Sequence, residues 1–130
     1  FCEYTYAVHT IVYDVLPSYI WVIGVRDDES GFWSPWSDVE LFAAELQLPT
    51  VPVLWNGTVE SEAELEKLTT RLGLAPGLFG EREGVVARVE REFDESEFSS
   101  VIGKFVRFGH VPDDAIDWWK RPVQRQRLVA

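Results

Sequence analysis

The sequence predicts an α+β domain, a mostly antiparallel sheet with two inserted helices. Three observations lead there. Runs rich in β-branched and aromatic residues are bounded by turn formers. Two apolar stripes recur at helical spacing, each preceded by a Ser-x-x-Glu pattern. The connections are short, with no internal repeat, low-complexity tract or linker, so residues 1–130 read as a single domain.

The elements follow in order. Tyr4 to Val12 and Tyr19 to Val25 read as strands separated at Pro17-Ser18, and Asp27-Asp28-Glu29-Ser30-Gly31 closes the second. Ser37-Asp38-Val39-Glu40 has a capping-box pattern, and Val39, Phe42, Ala43 and Leu46 line one face of the helix that follows. Pro49 ends that helix. Val51 to Trp55, between Pro49 and Asn56-Gly57, is expected to be a buried strand. Ser61-Glu62-Ala63-Glu64 opens a second helix with Leu65, Leu68 and Leu72 on one face and Gly73 as its stop. Gly84 to Val89 and Val101 to Phe108 read as strands, with Asp94 to Ser100 as a connecting loop or short turn. Residues 113–121 are expected to form a short helix carrying Trp118 and Trp119. The predicted order is β-β-α-β-α-β-β.

Composition narrows the class. Apolar residues make up 46% and charged residues 26%, as in ordinary globular proteins. The eighteen aromatics, six of them Trp, are expected chiefly in the core. Net charge is −10, which argues against a uniformly basic nucleic-acid-binding surface. The charge is uneven, however. Residues 1–103 hold six Lys/Arg against nineteen Asp/Glu, whereas Lys104 onward holds six against three. That C-terminal section is the one phosphate-facing candidate by charge. Cys2 is the single cysteine, so an internal disulfide or multi-cysteine metal site is excluded, and a reducing, cytoplasmic setting is expected. No apolar run reaches the ~20 residues of a membrane helix, and no secretory pattern opens the chain. Asn56-Gly57-Thr58 reads as a turn rather than a glycosylation site. The chain opens Phe1-Cys2-Glu3 and contains no Met, so the natural start is expected upstream.

Few residues point to chemistry by type alone. Glu83 begins the apolar run Gly84-Val85-Val86-Ala87-Arg88, where an acid can ligate a divalent metal through oxygen. Lys104 and Arg107 lie three apart on another predicted strand and can neutralise phosphate charge. The competing reading is a surface salt bridge between neighbouring strands, and composition alone favours it. His9 and His110 offer no ligand cluster, and there is no Gly-rich phosphate loop.

An ordered set of segments carries a resemblance. Cys2-Glu3-Tyr4-Thr5-Tyr6-Ala7-Val8-His9-Thr10-Ile11 is followed by Tyr13-Asp14 and Leu16-Pro17-Ser18-Tyr19. Val51-Pro52-Val53-Leu54, Glu83-Gly84-Val85-Val86-Ala87-Arg88, Gly103-Lys104-Phe105-Val106-Arg107, His110-Val111 and Trp118 continue it. Together they resemble ATP-dependent RNA ligases over nearly the whole chain, as the C-terminal part of the nucleotidyltransferase domain. The resemblance implies that a lysine in a Lys-x-Asp-Gly motif takes AMP from ATP, that AMP passes to an RNA 5′-phosphate, and that a 3′-hydroxyl displaces it. It implies that Glu3 contacts the nucleotide, Glu83 the divalent metal (Mg2+ or Mn2+), and Lys104 and Arg107 the phosphates. Partners implied are RNA ends and ATP.

The departures are specific. Lys-x-Asp-Gly occurs nowhere in the chain. The family's Gly before Glu is Cys2 here, its Lys before His is Val8, and Ile23 stands where an adenine-stacking aromatic is expected. The nucleophile is therefore expected on a segment upstream of Phe1. The alternative is a non-catalytic RNA- or protein-binding module derived from the ligase fold.

Overall fold

The computed structural model describes residues 1–9, 11–13, 15–107 and 122–129. Among the described residues the architecture is α+β, with three two-stranded antiparallel sheets, three α-helices and a 3-10 turn. β1 (Cys2–Tyr4) pairs with β2 (Ile20–Val22), placing Glu3 opposite Trp21. β3 (Phe32–Trp33) precedes α1 (Trp36–Glu45) and α2 (Glu62–Leu74). β4 (Gly84–Arg88) pairs with β6 (Ile102–Val106), and β5 (Phe93–Asp94) pairs back to β3. Between β5 and β6 a 3-10 turn, Glu95–Glu97, runs into the short α3 (Phe98–Val101).

The helix ends show which local signals govern. Ser61 caps α2 as its sequence predicts: its Oγ accepts the Glu64 N–H at 3.2 Å, and the Glu64 carboxylate accepts the Glu60 N–H at 2.8 Å. The Ser37 pattern does not cap α1. That helix starts one residue earlier, at Trp36, whose N–H donates to the Glu90 carbonyl at 2.9 Å. Glu40, the would-be partner in the box, instead accepts from the Trp36 indole at 2.9 Å. Gly73 does not stop α2 either. It lies buried under Phe105, and the helix ends one residue later. The Arg82 guanidinium donates to the Leu72 and Pro76 carbonyls there, satisfying end groups that the helix itself cannot.

One further expectation changes. Val51 to Trp55 forms no strand. Only its first residue joins β2, through the Val51 N–H to the Val22 carbonyl at 3.2 Å, and Val53, Leu54 and Trp55 are exposed. Pro52 has no N–H to extend a ladder, so pairing ends where it begins. Of the loop or short turn expected over Asp94 to Ser100, the turn is present and runs on into α3. Asp94 and Glu97 form a reciprocal capping box that launches the turn into α3. Phe32–Trp33 is a strand too short for period-two reading. The expected helix over 113–121, with Trp118 and Trp119, lies outside the described residues.

The core centres on Val22, Val39 and Ala43, with Val25, Trp36 and Leu48 packed against them. Phe93 is fully buried and stacks on Trp33, which also meets Phe98 and Phe1. Each such apolar side chain contributes about 1.5–3 kcal/mol by leaving water. Arg88 lies over both Trp36 and Phe93 and donates to the Ser34 carbonyl, which ties β4 to this core. β4 is also packed by α2 and paired to β6, so Glu83 enters from a held strand.

Residues 122–129 return along the first segment. The Val8 N–H donates to the Gln124 carbonyl, the Gln126 N–H to Tyr6, and the Leu16 N–H to Arg127, each at 2.8–2.9 Å.

Candidate active site

Two of the acids singled out by sequence, far apart in the chain, line one cleft. Glu3 comes from β1 and Glu83 from the residue before β4, and Tyr13, His9 and Gln126 line the same space. Tyr13 lines the cleft with both. Its phenol is pushed above the ordinary tyrosine range, first by burial and then by the negative charges of Glu83 and Glu3. It therefore stays a neutral hydroxyl beside the carboxylates. Glu83 is partly buried and Glu3 exposed. The Glu83 backbone is pinned by the Arg107 N–H, which donates to its carbonyl at 2.8 Å and carries the β4–β6 pairing one step beyond the strands.

The two cations are placed differently. Lys104 sits mid-β6 opposite Val86, exposed, and is not among the cleft-lining residues. Arg107 stands beside Glu83 through the backbone, but its guanidinium pairs with Glu81 at 2.8 Å. A salt bridge is what composition alone favours for these cations, but the acid here is Glu81, two residues before Glu83 and outside β4. The structure thus brings Glu3 and Glu83 together, holds Arg107 at the edge through its backbone, and leaves Lys104 outside the cleft.

The donor set fits one kind of metal better than others. Among the described residues no group of three or more His, Cys, Asp or Glu is arranged to hold an ion. Two carboxylates in a polar cleft do suit magnesium or manganese, which bind through one or two carboxylates and complete their shell with water and substrate phosphate. The cleft is about 40 Å³. That admits an ion or a water, whereas ligand sites usually span roughly 300–1,000 Å³. A nucleotide therefore needs further walls than these residues provide.

Sequence reasoning missed two cleft residues. Tyr13 was visible only as part of a family-like string, with nothing in its neighbours to mark it. Gln126 carries no signal at all, since a lone glutamine near a basic tail reads as solvated.

Among the described residues no helix is long and apolar enough to cross a membrane. Comparison with curated proteins and with solved structures returns no match. The family model described as RNA ligase matches residues 1–106, a stretch that includes Glu3, Glu83 and Lys104. With most of its length matched in this way, the chain belongs to the RNA ligase family.

Proposed function

We propose that this chain is the C-terminal part of the nucleotidyltransferase domain of an ATP-dependent RNA ligase, acting with a lysine-bearing segment outside these 130 residues. The observation that carries the reading is the meeting of Glu3 and Glu83 in one cleft beside the Tyr13 phenol. In the reaction a lysine amine bonds to the α-phosphorus of ATP and pyrophosphate leaves. An RNA 5′-phosphate oxygen then takes the AMP from the lysine, and a 3′-hydroxyl attacks that 5′-phosphate and expels AMP. Such transfers depend on positioning and on neutralising phosphate charge.

On this reading Glu83 holds the divalent metal and Glu3 contacts the nucleotide. Bound there, magnesium or manganese supplies positive charge to the phosphate oxygens during transfer. Lys104 contributes a mobile cation to the AMP phosphate from beside the cleft, and Arg107 a second one on exchanging Glu81 for phosphate. The Tyr13 hydroxyl, held neutral, serves as a hydrogen-bond donor at all working pH values.

Neither lysine among the described residues suits the nucleophile's role. Attack needs a deprotonated amine in line with the α-phosphate, and a free lysine at pKa ~10.4 is almost wholly protonated at neutral pH. Lys104 and Lys67 are exposed, outside any enclosed site that would hold an amine in line with the α-phosphate. Lys120 lies outside the described residues. The chain alone is therefore expected to form no AMP adduct by intact-mass spectrometry after incubation with ATP and magnesium.

The deciding experiment uses a longer protein that carries a Lys-x-Asp-Gly segment ahead of this chain. Label transfer from ATP to protein should occur with magnesium or manganese and be lost in Glu83→Ala. Undiminished labelling of Glu83→Ala would make Glu83 structural. A second reading, a non-catalytic RNA- or protein-binding module, is favoured by the engagement of Arg107 with Glu81. Lack of labelling in the longer wild-type protein would select it.

A further inference from the structure

Gln126 is a buried polar residue, 2% exposed, on the returning segment beyond the family-matched stretch. All four of its polar groups reach back to residues between Tyr6 and Tyr19. Its side-chain Nε2 donates to the Ile11 carbonyl at 2.8 Å, and its Oε1 accepts the Tyr13 N–H at 3.0 Å. Its backbone N–H donates to the Tyr6 carbonyl, and its carbonyl accepts the Tyr19 hydroxyl, each at 2.9 Å.

The geometry is directional. An amide has a donor end and an acceptor end, and here each faces its complement. Turning it over would set NH2 against the Tyr13 N–H and oxygen against the Ile11 carbonyl. An apolar replacement would leave both of those backbone groups short of a partner, a cost that buried polar groups rarely bear. The two groups Gln126 grips are the backbones of Ile11 and Tyr13, which line the cleft with Glu3 and Glu83, and Gln126 lines it too.

We infer that Gln126 is a positioning residue of this cleft: its amide fixes the Ile11 and Tyr13 backbones and so holds both residues in the lining that they share with Glu83 and Glu3. A segment outside the family-matched stretch thereby completes the site. The consequence for metal binding rests on the function proposed above, whereas the consequence for the shape of the cleft does not.

The test compares the full chain with Gln126→Met, which keeps length and loses both side-chain hydrogen bonds, and with Gln126→Glu, which keeps an acceptor for the Tyr13 N–H. Methyl NMR reads the cleft at Thr5, Ala7 and Ile11 and reads the helices at Ala43 and Ala63. Manganese alone, followed by electron paramagnetic resonance, reads the carboxylates. The expected result is that the cleft methyl signals move while the helix signals stay. Manganese affinity should fall about tenfold in Gln126→Met, the usual scale for losing a group that orients ligands without touching the metal. Should Gln126→Met fail to fold, Gln126→Glu decides by the methyl signals alone, because its added carboxylate changes manganese binding directly. Unmoved cleft signals, equal movement at cleft and helices, or unfolding of both variants overturns the inference and makes Gln126 a general scaffold residue. Absence of manganese binding in the parent chain would count against the proposed function, leaving the methyl signals to decide the role of Gln126.

Discussion

Gly84 follows Glu83 because the two strands approach too closely there for any side chain. A methyl built on Gly84 would lie on top of the Phe105 carbonyl oxygen, with the Phe105 carbonyl carbon at 2.9 Å and Val106 Cα at 3.0 Å. These are backbone atoms, so relief requires β4 and β6 to separate. In Gly84→Ala, overpacking of this kind costs about 1–3 kcal/mol. Weakening the adjacent bond from the Arg107 N–H to the Glu83 carbonyl adds about 0.5–1.5 kcal/mol. The lower entropy of the unfolded alanine chain offsets about 0.4–1 kcal/mol. The net loss is about 2 kcal/mol, a fall in melting temperature on the order of 5–10 °C for a domain of this size. Gly103, on the partner strand, is the control, since a methyl there would meet nothing within 4 Å. Gly103→Ala should be neutral or stabilising by about 0.5 kcal/mol. Urea and thermal unfolding of both variants measure the contrast. If Gly84→Ala matched the parent chain within about 0.5 kcal/mol, an ordinary surface change, the close approach that sets Glu83 would be refuted.

Two other outcomes follow from the same surroundings. The Arg107–Glu81 pair is 29% and 70% exposed by side chain, so a double-mutant cycle should give a coupling of about 0.2–1 kcal/mol that fades in 1 M salt; a larger, salt-insensitive coupling would mean that Arg107 is locked away from any ligand. Because the Tyr13 phenol is raised in the fold, its contribution to stability is complete below the ordinary tyrosine pKa of ~10 and is lost as pH rises through the higher folded value. Glu83→Gln removes one of the charges responsible, so the Tyr13 midpoint, followed by NMR of carbon-labelled tyrosine, should move down; an unchanged midpoint would separate the two residues.

Much of this fold was legible because its signals are local. Ser61 capped α2 since hydroxyl, spacing and apolar stripe all pointed one way. The Ser37 pattern had the same letters and failed, because an indole four residues from Glu40 competed for the carboxylate and a distant carbonyl, Glu90, took up the first amide. Val51 to Trp55 looked buried by its apolar content, yet Pro52 interrupts its donors, and the apolar side chains that follow face solvent. The site divides in the same way. Glu83 could be singled out as an acid at the head of an apolar strand, and Glu3 only through the family-like string around it. Gln126 and Tyr13 owe their places to a segment returning from more than a hundred residues away, and no local pattern records such a meeting. Lys104 is the converse case: a cation in the right motif, on a strand position outside the cleft.

Glu83 is proposed to hold a divalent metal in the cleft that it shares with Glu3. Titration of the chain with manganese, read by electron paramagnetic resonance, tests it without ATP, RNA or a nucleophile. The account predicts one saturable site, lost in Glu83→Gln, weakened in Glu3→Gln, and intact in Glu62→Gln on the exposed start of α2. Absence of saturable binding, or binding indifferent to Glu83, would contradict it.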